Sequence, residues 1–489
     1  MFIEIWTNLW KISFVVYSLA VLLVAVFGLL QVHLLILYLL RKRTKTIKST
    51  DKWPFVTVQL PIYNELHVAE RLIDQVVKLD YPRLEIQVLD DSTDKTRHLI
   101  AQKVKEYHTK GIDIVHILRA KRTGYKAGAL EAALPKAKGE FIAIFDADFL
   151  PRPDFLRKLM PRFNDPKIGV VQTRWEHLNE DFGLLTRVQA LLLNIHFIIE
   201  QVGRMNGNLF LQFNGTGGIW RKATILDAGG WRADTLTEDL DLSYRAQLSG
   251  WKIRYYSDVG APAELPAEIN GLKSQQYRWM KGGAETAKLL LKPLWKSNQR
   301  LPVKIQGTAH LLTSSVFVAI VVATVFSVPA SYSGFQFPKE IPLAPISFLA
   351  LMGLSINYFI ANLHHAQLKG NVWVRFIKLL LFFPLFMALS LGMSFHNAYA
   401  VLKGFFGQPS EFVRTPKFGL DAVGSFRKKP YFAAKLDKIA IFEGFFALYF
   451  AFGLVHSIQI QQYGFIFFHG ILAIGYGLVF FFSARDAIN

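Results

Sequence analysis

The sequence predicts an α/β domain with a mostly parallel sheet, inserted between membrane-spanning helices, and three observations carry that prediction. From about Ile12 to Leu40 the chain is apolar apart from scattered Ser, Gln and His, longer than the roughly 20 residues a membrane helix needs. Between about Trp53 and Ser257 short apolar runs alternate with amphipathic stretches of helical length, the pattern of strands joined by crossover helices. Beyond Lys304 long apolar segments return.

The first apolar segment is too long for a signal-peptide core and lacks a convincing small-residue cleavage site, so it reads as a retained anchor. The basic run Arg41 to Lys48 then places the α/β region in the cytosol. Strands are expected at Val56 to Ile62, Ile86 to Leu89, Ile112 to Ile117, Phe141 to Phe145 and Gly169 to Gln172. In such sheets functional residues lie just past the carboxyl ends of the strands.

Leu272 to Trp295 combines helical periodicity with Arg278, Lys281, Lys288, Lys292 and Trp295, which suits a helix lying in the cytosolic interface. Later spans are expected near Ala309 to Val328, Pro345 to Asn362, Ile439 to His456 and Phe465 to Phe482. Leu379 to Phe395 is short, carries Pro384 and is flanked by Arg375, Lys378 and His396, so it reads as interfacial or re-entrant. That reading leaves an even number of crossings between cytosolic Lys304 and the basic loop from Lys403 to Lys438, which should also be cytosolic. The expected units are an anchor over 1–48, a cytosolic catalytic domain over 49–270, interfacial amphipathic helices over 271–302, transmembrane and interfacial helices over 303–402, a cytosolic loop over 403–438 and C-terminal transmembrane helices over 439–489.

Composition agrees. The chain has 489 residues, too many for one compact domain, and 52% are hydrophobic, with 41 Phe and 10 Trp. The net charge of +19 could serve nucleic acid, an anionic membrane surface or a phosphorylated substrate. Hydropathy argues against nucleic acid, and basic clusters such as Arg41-Lys42-Arg43 and Arg427-Lys428-Lys429 sit beside apolar segments, where they meet lipid headgroups. With no cysteine, disulfides, thiolate catalysis and cysteine metal sites are excluded.

Four motifs carry the chemistry. Asp90 and Asp91 follow the strand ending at Leu89, and Asp146-Ala147-Asp148 follows the apolar run Phe141 to Phe145. Paired carboxylates at a buried strand end can hold Mg²⁺ or Mn²⁺ while leaving positions open for substrate phosphates. Thr237-Glu238-Asp239 opens an amphipathic stretch, and Gln275-Gln-Tyr-Arg278-Trp279 joins a fixed cation to an indole. Singly, these have commonplace readings as a turn, a helix cap or an interfacial anchor. Together they supply a cation site, a base, an arginine for phosphates and an aromatic platform for a sugar. Transfer from a nucleotide-diphosphate sugar requires that set.

The ordered set Asp91, Asp146-Ala-Asp148, Thr237-Glu-Asp239 and Gln275-Gln-Tyr-Arg278-Trp279 resembles the processive family 2 glycosyltransferases of the cellulose synthase superfamily. Gly124-Tyr-Lys-Ala-Gly-Ala-Leu130 and Phe213-Asn-Gly-Thr-Gly-Gly-Ile-Trp220 strengthen the likeness to cellulose-synthase-like mannan and glucan synthases and their bacterial relatives. The resemblance implies a GT-A domain docked on membrane helices. It implies a nucleotide pocket of Pro61, Tyr63, Glu65, Asp90, Asp91 and Lys126, with Asp146 and Asp148 holding Mg²⁺ or Mn²⁺ and the diphosphate. Asp239 would be the general base, with Glu238 and Arg278 completing the catalytic set. Gln275 would bind the diphosphate, Trp279 the acceptor end, and Phe213, Asn214, Gly215 and Thr216 would lie beside the acceptor. Phe412-Val-Arg-Thr-Pro-Lys417 resembles the family's gating loop through Phe412, Thr415 and Lys417, with Arg414 where the family has Val. No cyclic-dinucleotide-binding domain follows, so no activation of that kind is expected.

The function implied is inverting hexose transfer from GDP-mannose or UDP-glucose to a growing β-linked polysaccharide, a 1,4-linked mannan, glucomannan or glucan, passed through the protein's own membrane helices. A synthase adding one or a few sugars to a lipid acceptor, a ceramide or diacylglycerol, fits the same carboxylates, and product size separates the two. A non-catalytic sugar-binding protein or transporter would be indifferent to Asp239→Asn. The missing cysteines and the lack of an obvious secretion signal suit a bacterial inner membrane.

Overall fold

The computed structural model describes residues 2–40, 53–332, 343–363, 370–407, 417, 419 and 438–488. Seven strands form one sheet, in the order β3-β2-β1-β4-β6-β5-β7. They are β1 (Val56–Ile62), β2 (Leu84–Asp90), β3 (Ile114–Leu118), β4 (Phe141–Ile144), β5 (Ile168–His177), β6 (Gly218–Arg221) and β7 (Lys252–Ala263). Every neighbouring pair is parallel except those made by β6, which runs antiparallel to β4 and β5.

The five expected strands are present, and helices cover both faces. That is why β4 reads as an unbroken apolar run: a strand buried on two sides needs no polar alternation. One face is packed by Leu72, Ile73, Phe155 and Leu159, the other by Leu130, Trp220, Trp231 and Leu242. Polar residues inside the sheet satisfy one another across strands. Thr57 Oγ1 donates to Glu85 Oε2 at 2.7 Å and Gln59 Nε2 to Gln87 Oε1 at 3.0 Å, as buried polar groups must.

Two strands were not foreseen. β6 is four residues long and begins with glycine, and β7 runs from Lys252 to Ala263. Lys252, Ser257 and Asp258 of β7 are exposed, which breaks its apolar run.

Among the described residues, five helical segments are long and apolar enough to cross a membrane: Asn8–Leu39, Thr313–Ser331, Val372–Phe406, Lys438–Gln459 and Tyr463–Ala487. The protein is therefore a multi-pass membrane protein. The expected span near Pro345 to Asn362 lies in the 21-residue helix Leu343–Leu363. By contrast, the segment expected to be interfacial or re-entrant sits inside the long apolar run Val372–Phe406.

That run is not one straight rod. It breaks at Met393 into the helices Val372–Gly392 and Ser394–Phe406. Leu379 and Met393 share a core with Leu185, Ile269 and Leu272 of the catalytic half, and Gly404 lies against the Lys281 backbone. A Cβ on Gly392 would collide with the Gly475 carbonyl oxygen, so the first of these helices approaches the last helix backbone to backbone, as small residues permit between membrane helices.

The expected interfacial helix is Ile269–Lys296. It is tied to the membrane helices by Lys273 Nζ, which pairs with Glu443 Oε2 at 2.6 Å and donates to Ser483 Oγ at 2.9 Å. Ile269 N donates to Asp486 Oδ2 at 3.1 Å.

Candidate active site

The site opens where the parallel strands end. At the end of β2 the two adjacent carboxylates diverge. Asp90 is buried, bonds His116 Nε2 on β3 at 2.9 Å and accepts Ser92 N at 2.8 Å. Burial works to raise its carboxyl, but the bonds from His116 and Ser92 outweigh it and leave the group below the ordinary range. The expectation that Asp90 lines the nucleotide pocket is corrected: its side chain faces the sheet and shapes the turn. Asp91 pairs with Arg119, which also donates to Thr123 O at 2.9 Å and Tyr125 O at 3.0 Å. Arg119 thus binds the β2 turn to the Gly124 turn.

Arg122 stacks on Tyr63, its guanidinium carbon 3.4 Å from the ring centroid, and lies 4.8 Å from the Tyr125 centroid. Neither arginine was singled out from the sequence. Both stand just before Gly124-Tyr-Lys126, and that adjacency was the available signal. Pro61 sits within β1 and Glu65 just beyond it, both half-buried.

β4 delivers the acidic pair. Lys126 Nζ pairs with Asp146 Oδ1 at 2.5 Å, donates to Gly215 O at 2.9 Å and lies 4.0 Å from Glu238 Oε1. Burial pushes the Asp146 carboxyl up, outweighing Lys126. For Lys126 burial pulls the other way, but Asp146, Glu238 and Asp239 win and hold the ammonium charged. Lys417 Nζ pairs with Asp148 Oδ2 at 2.7 Å and donates to Glu264 O at 2.8 Å. Phe412 and Thr415 lie outside the described residues.

Thr237 is seated against the helix Ile269–Lys296: its hydroxyl meets Thr286 Oγ1 at 3.0 Å, and a Cβ on Gly282 would stand 2.6 Å from its side chain. This presents Glu238 and Asp239 at the start of the helix Glu238–Leu248. Burial, then the neighbouring Glu238 charge, push the Asp239 carboxyl up to about 7, against Lys126. Burial likewise raises Glu238. Gly215 takes a left-handed backbone (φ +79°), and a Cβ there would press on Asp239 Oδ2 at 3.1 Å and touch Lys126 Nζ at 3.5 Å.

Gln275, Arg278 and Trp279 share one face of the Ile269–Lys296 helix by their spacing of three and four, and all three are half-buried. Arg278 is lowered to about 10 by burial, against the charges of Asp146, Glu238 and Glu65. Those three carboxylates therefore face it.

The acceptor loop needs two corrections. Phe213 is fully buried edge-on to Trp220, at 5.3 Å between centroids, so its ring serves the core and not a sugar. Thr216 is buried and its hydroxyl accepts the Asp146 N–H at 2.9 Å, so it holds the metal-site backbone. Asn214 is half-buried and Gly215 buried.

Among the described residues no three His, Cys, Asp or Glu side chains cluster as a complete metal cage. Asp146 and Asp148 are two hard oxygen ligands, each facing a lysine ammonium here. That donor set fits a divalent cation completed by water and phosphate oxygens.

Strand-end carboxylates, the buried Glu238–Asp239 pair, an arginine and a lysine gathered at the end of a mostly parallel sheet define a nucleotide-sugar glycosyltransferase of GT-A type. Residues 54–282 match the model of the family described as Glycosyltransferase like family 2. Glucomannan 4-beta-mannosyltransferase 2 of Arabidopsis thaliana is 36% identical over 380 residues, 76% of this chain and 69% of that one. Glucomannan 4-beta-mannosyltransferase 1 of Oryza sativa subsp. japonica is 38% identical over 298 residues, 57% of each chain. The chain belongs to the family 2 glycosyltransferases, in the cellulose-synthase-like group of these mannosyltransferases.

The chain spans about half the length of several of the curated relatives it matches. Among solved structures, the mannosyltransferase PcManGT from Pyrobaculum calidifontis, in complex with GDP-Man and Mn2+, matches with a TM-score of 0.57 at 20% identity. It covers 81% of this chain and 100% of that one, a likeness of fold. The curated relatives named here are plant proteins, and the expectation of a bacterial inner membrane finds no support in them.

Proposed function

We propose that the protein transfers mannose from GDP-mannose, with inversion, to the end of a β-1,4-linked mannan or glucomannan. The observation that carries this reading is the placement of Asp239 across one cleft from Lys126, Asp146 and Arg278. A carboxyl raised to about 7 is matched to taking a proton near neutral pH.

Asp239 removes the proton from the acceptor hydroxyl as that oxygen attacks the anomeric carbon from the face opposite the diphosphate, which inverts the linkage. Arg278 and Lys126 stand where they offset the charge that builds on the departing diphosphate. Asp146 and Asp148 would hold Mg²⁺ or Mn²⁺, whose chemistry when bound is Lewis-acid neutralisation of the diphosphate oxygens. Gln275 would bind the diphosphate and Trp279 would stack on the acceptor end. Tyr63, Asp91 and the Arg119–Arg122 turn would take the nucleoside.

The relatives named as glucomannan 4-β-mannosyltransferases and the likeness to a structure titled as a complex with GDP-Man and Mn2+ favour GDP-mannose over UDP-glucose. The proposed topology keeps the catalytic domain cytosolic. The two helices of Val372–Phe406 re-enter from the cytosolic face, because both pack on residues of the catalytic half. The 403–438 segment then reaches the active site through Lys417, and the glycan leaves between the membrane helices.

The test incubates the purified protein in nanodiscs with Mn²⁺ or Mg²⁺ and radiolabelled GDP-mannose or UDP-glucose, sizing the product. Long β-1,4-mannan from GDP-mannose, absent with Asp239→Asn, is the expected result. A small glycolipid formed only with added ceramide or diacylglycerol would replace this reading.

A further inference from the structure

Asn214 stands beside Gly215, whose backbone abuts Asp239, and a chain of polar contacts runs from it to the first membrane helix. Asn214 Oδ1 lies 3.0 Å from His196 Nε2, and His196 Nδ1 lies 2.8 Å from Glu200 Oε2. Glu200 is in turn hydrogen-bonded by Gln31. His196 and Glu200 belong to the π-helical turn Ile195–Glu200, a geometry frequent at functional sites because it re-aims side chains within a helix. The other side of that turn is fastened to the membrane helices: Ile195, Ile198 and Ile199 pack with Leu35 and Ala361.

The asparagine is gripped on two sides. Its backbone N–H donates to Gln172 Oε1 at 2.9 Å, and its Oδ1 faces the His196 ring. Gln201 Nε2, 3.4 Å from that ring nitrogen, donates to Gln212 O at 3.0 Å. The His196 ring thus bridges the Asn214 amide and the Glu200 carboxylate. The amide nitrogen Nδ2 of Asn214 is buried and has no hydrogen-bond partner among the described residues. A buried donor without a partner is costly unless a ligand supplies the acceptor.

We propose that His196 and Glu200 are positioning residues: they fix the Asn214 amide so that Nδ2 donates to a hydroxyl of the acceptor sugar beside Asp239. The inference rests on the glycan-synthase reading and gives that acceptor site a second layer of residues. A rigid donor one residue from the Gly215 backbone orients the sugar whose neighbouring hydroxyl Asp239 deprotonates, and orientation of that kind is a large part of bimolecular catalysis.

The experiment uses the full chain in nanodiscs with Mn²⁺, GDP-mannose and β-1,4-mannotetraose, and fits donor and acceptor KM separately. Asn214→Ala and His196→Leu are expected to raise the acceptor KM roughly tenfold, the loss of about one hydrogen bond, with donor KM and Mn²⁺ affinity within about twofold of the parent. Glu200→Gln, the variant gentlest on folding, shifts acceptor KM in the same direction by a smaller factor. The double variant His196→Leu/Asn214→Ala is expected to match the single ones, because both remove the same contact. Donor KM rising in step with acceptor KM, or a double variant whose effect is the product of the singles, would overturn the proposal. Parent protein that consumes GDP-mannose but never extends mannotetraose would instead overturn the glycan-synthase reading, a failure visible before any variant is made.

Discussion

Asp239 gives the functional reading its most quantitative consequence. A base must be ionised to accept a proton, so with its carboxyl at about 7 turnover should fall about tenfold per pH unit below that value. The sign can be driven both ways. Lys126 Nζ and Asp239 Oδ2 approach one point beside Gly215, at 3.5 and 3.1 Å, and so lie within about 7 Å of each other. Two unit charges at that separation interact by roughly 2.4 kcal/mol at an effective dielectric near 20, about 1.7 pH units. Lys126→Met removes a cation that favours the carboxylate, so it should move the acid limb up toward pH 8 to 9, beneath any overall loss of rate. Glu238→Gln removes a like charge and should move the limb down. The assay is the initial rate of nucleotide release from pH 5.5 to 9.5 at constant ionic strength. Limbs that stay put, or that move the same way in both variants, would refute the assignment of Asp239 as the ionising base.

Other perturbations have equally definite signs. Gly215→Ala forces a side chain into a left-handed backbone position, costing about 1 kcal/mol, and sets a methyl against Asp239; kcat should drop on the order of 10- to 100-fold while donor binding by calorimetry holds. Chelation with EDTA should abolish turnover, and Asp148→Asn should weaken Mn²⁺ binding at least about tenfold by electron paramagnetic resonance titration, since it removes one of two charged ligands. Lys273→Met removes the buried cation that Glu443 faces, which is expected to cost roughly 3 to 5 kcal/mol. A lowered thermal midpoint should be recovered in Lys273→Met/Glu443→Leu, where both charges are gone.

The legibility of the fold in the sequence depends on where the physical signal lies. β4 could be read because a strand buried on both faces is a continuous apolar run, and Asp146-Ala-Asp148 stood out by ending it. β6 was hidden by its length of four residues, and β7 by its exposed residues. Motif adjacency misled at two positions. Asp90 and Phe213 each stand next to a site residue, but a strand turns successive side chains to opposite faces, and Phe213 fell on the core side of its loop. His196 lay beyond reach for another reason: what marks it is contact with Asn214, unmarked by any period, and no local pattern encodes such a contact.

The helix Ile269–Lys296 explains why the membrane segments and the chemistry share one chain. Its first turns are bound into the membrane bundle, by Ile269 to Asp486 and by Lys273 to Glu443 and Ser483, while His396 of the Ser394–Phe406 helix meets the Lys273 carbonyl at 2.9 Å. One turn later it presents Gln275, Arg278 and Trp279 to the cleft, and one turn beyond that Gly282 supplies the flat seat on which Thr237 rests ahead of Asp239. Arg278, Trp279 and Asp239 are thereby registered against the same rigid element that the membrane helices hold. A shift of those helices along the bilayer normal cannot leave Arg278 in place, so the path by which a glycan would leave and the geometry that lengthens it are set by a single helix.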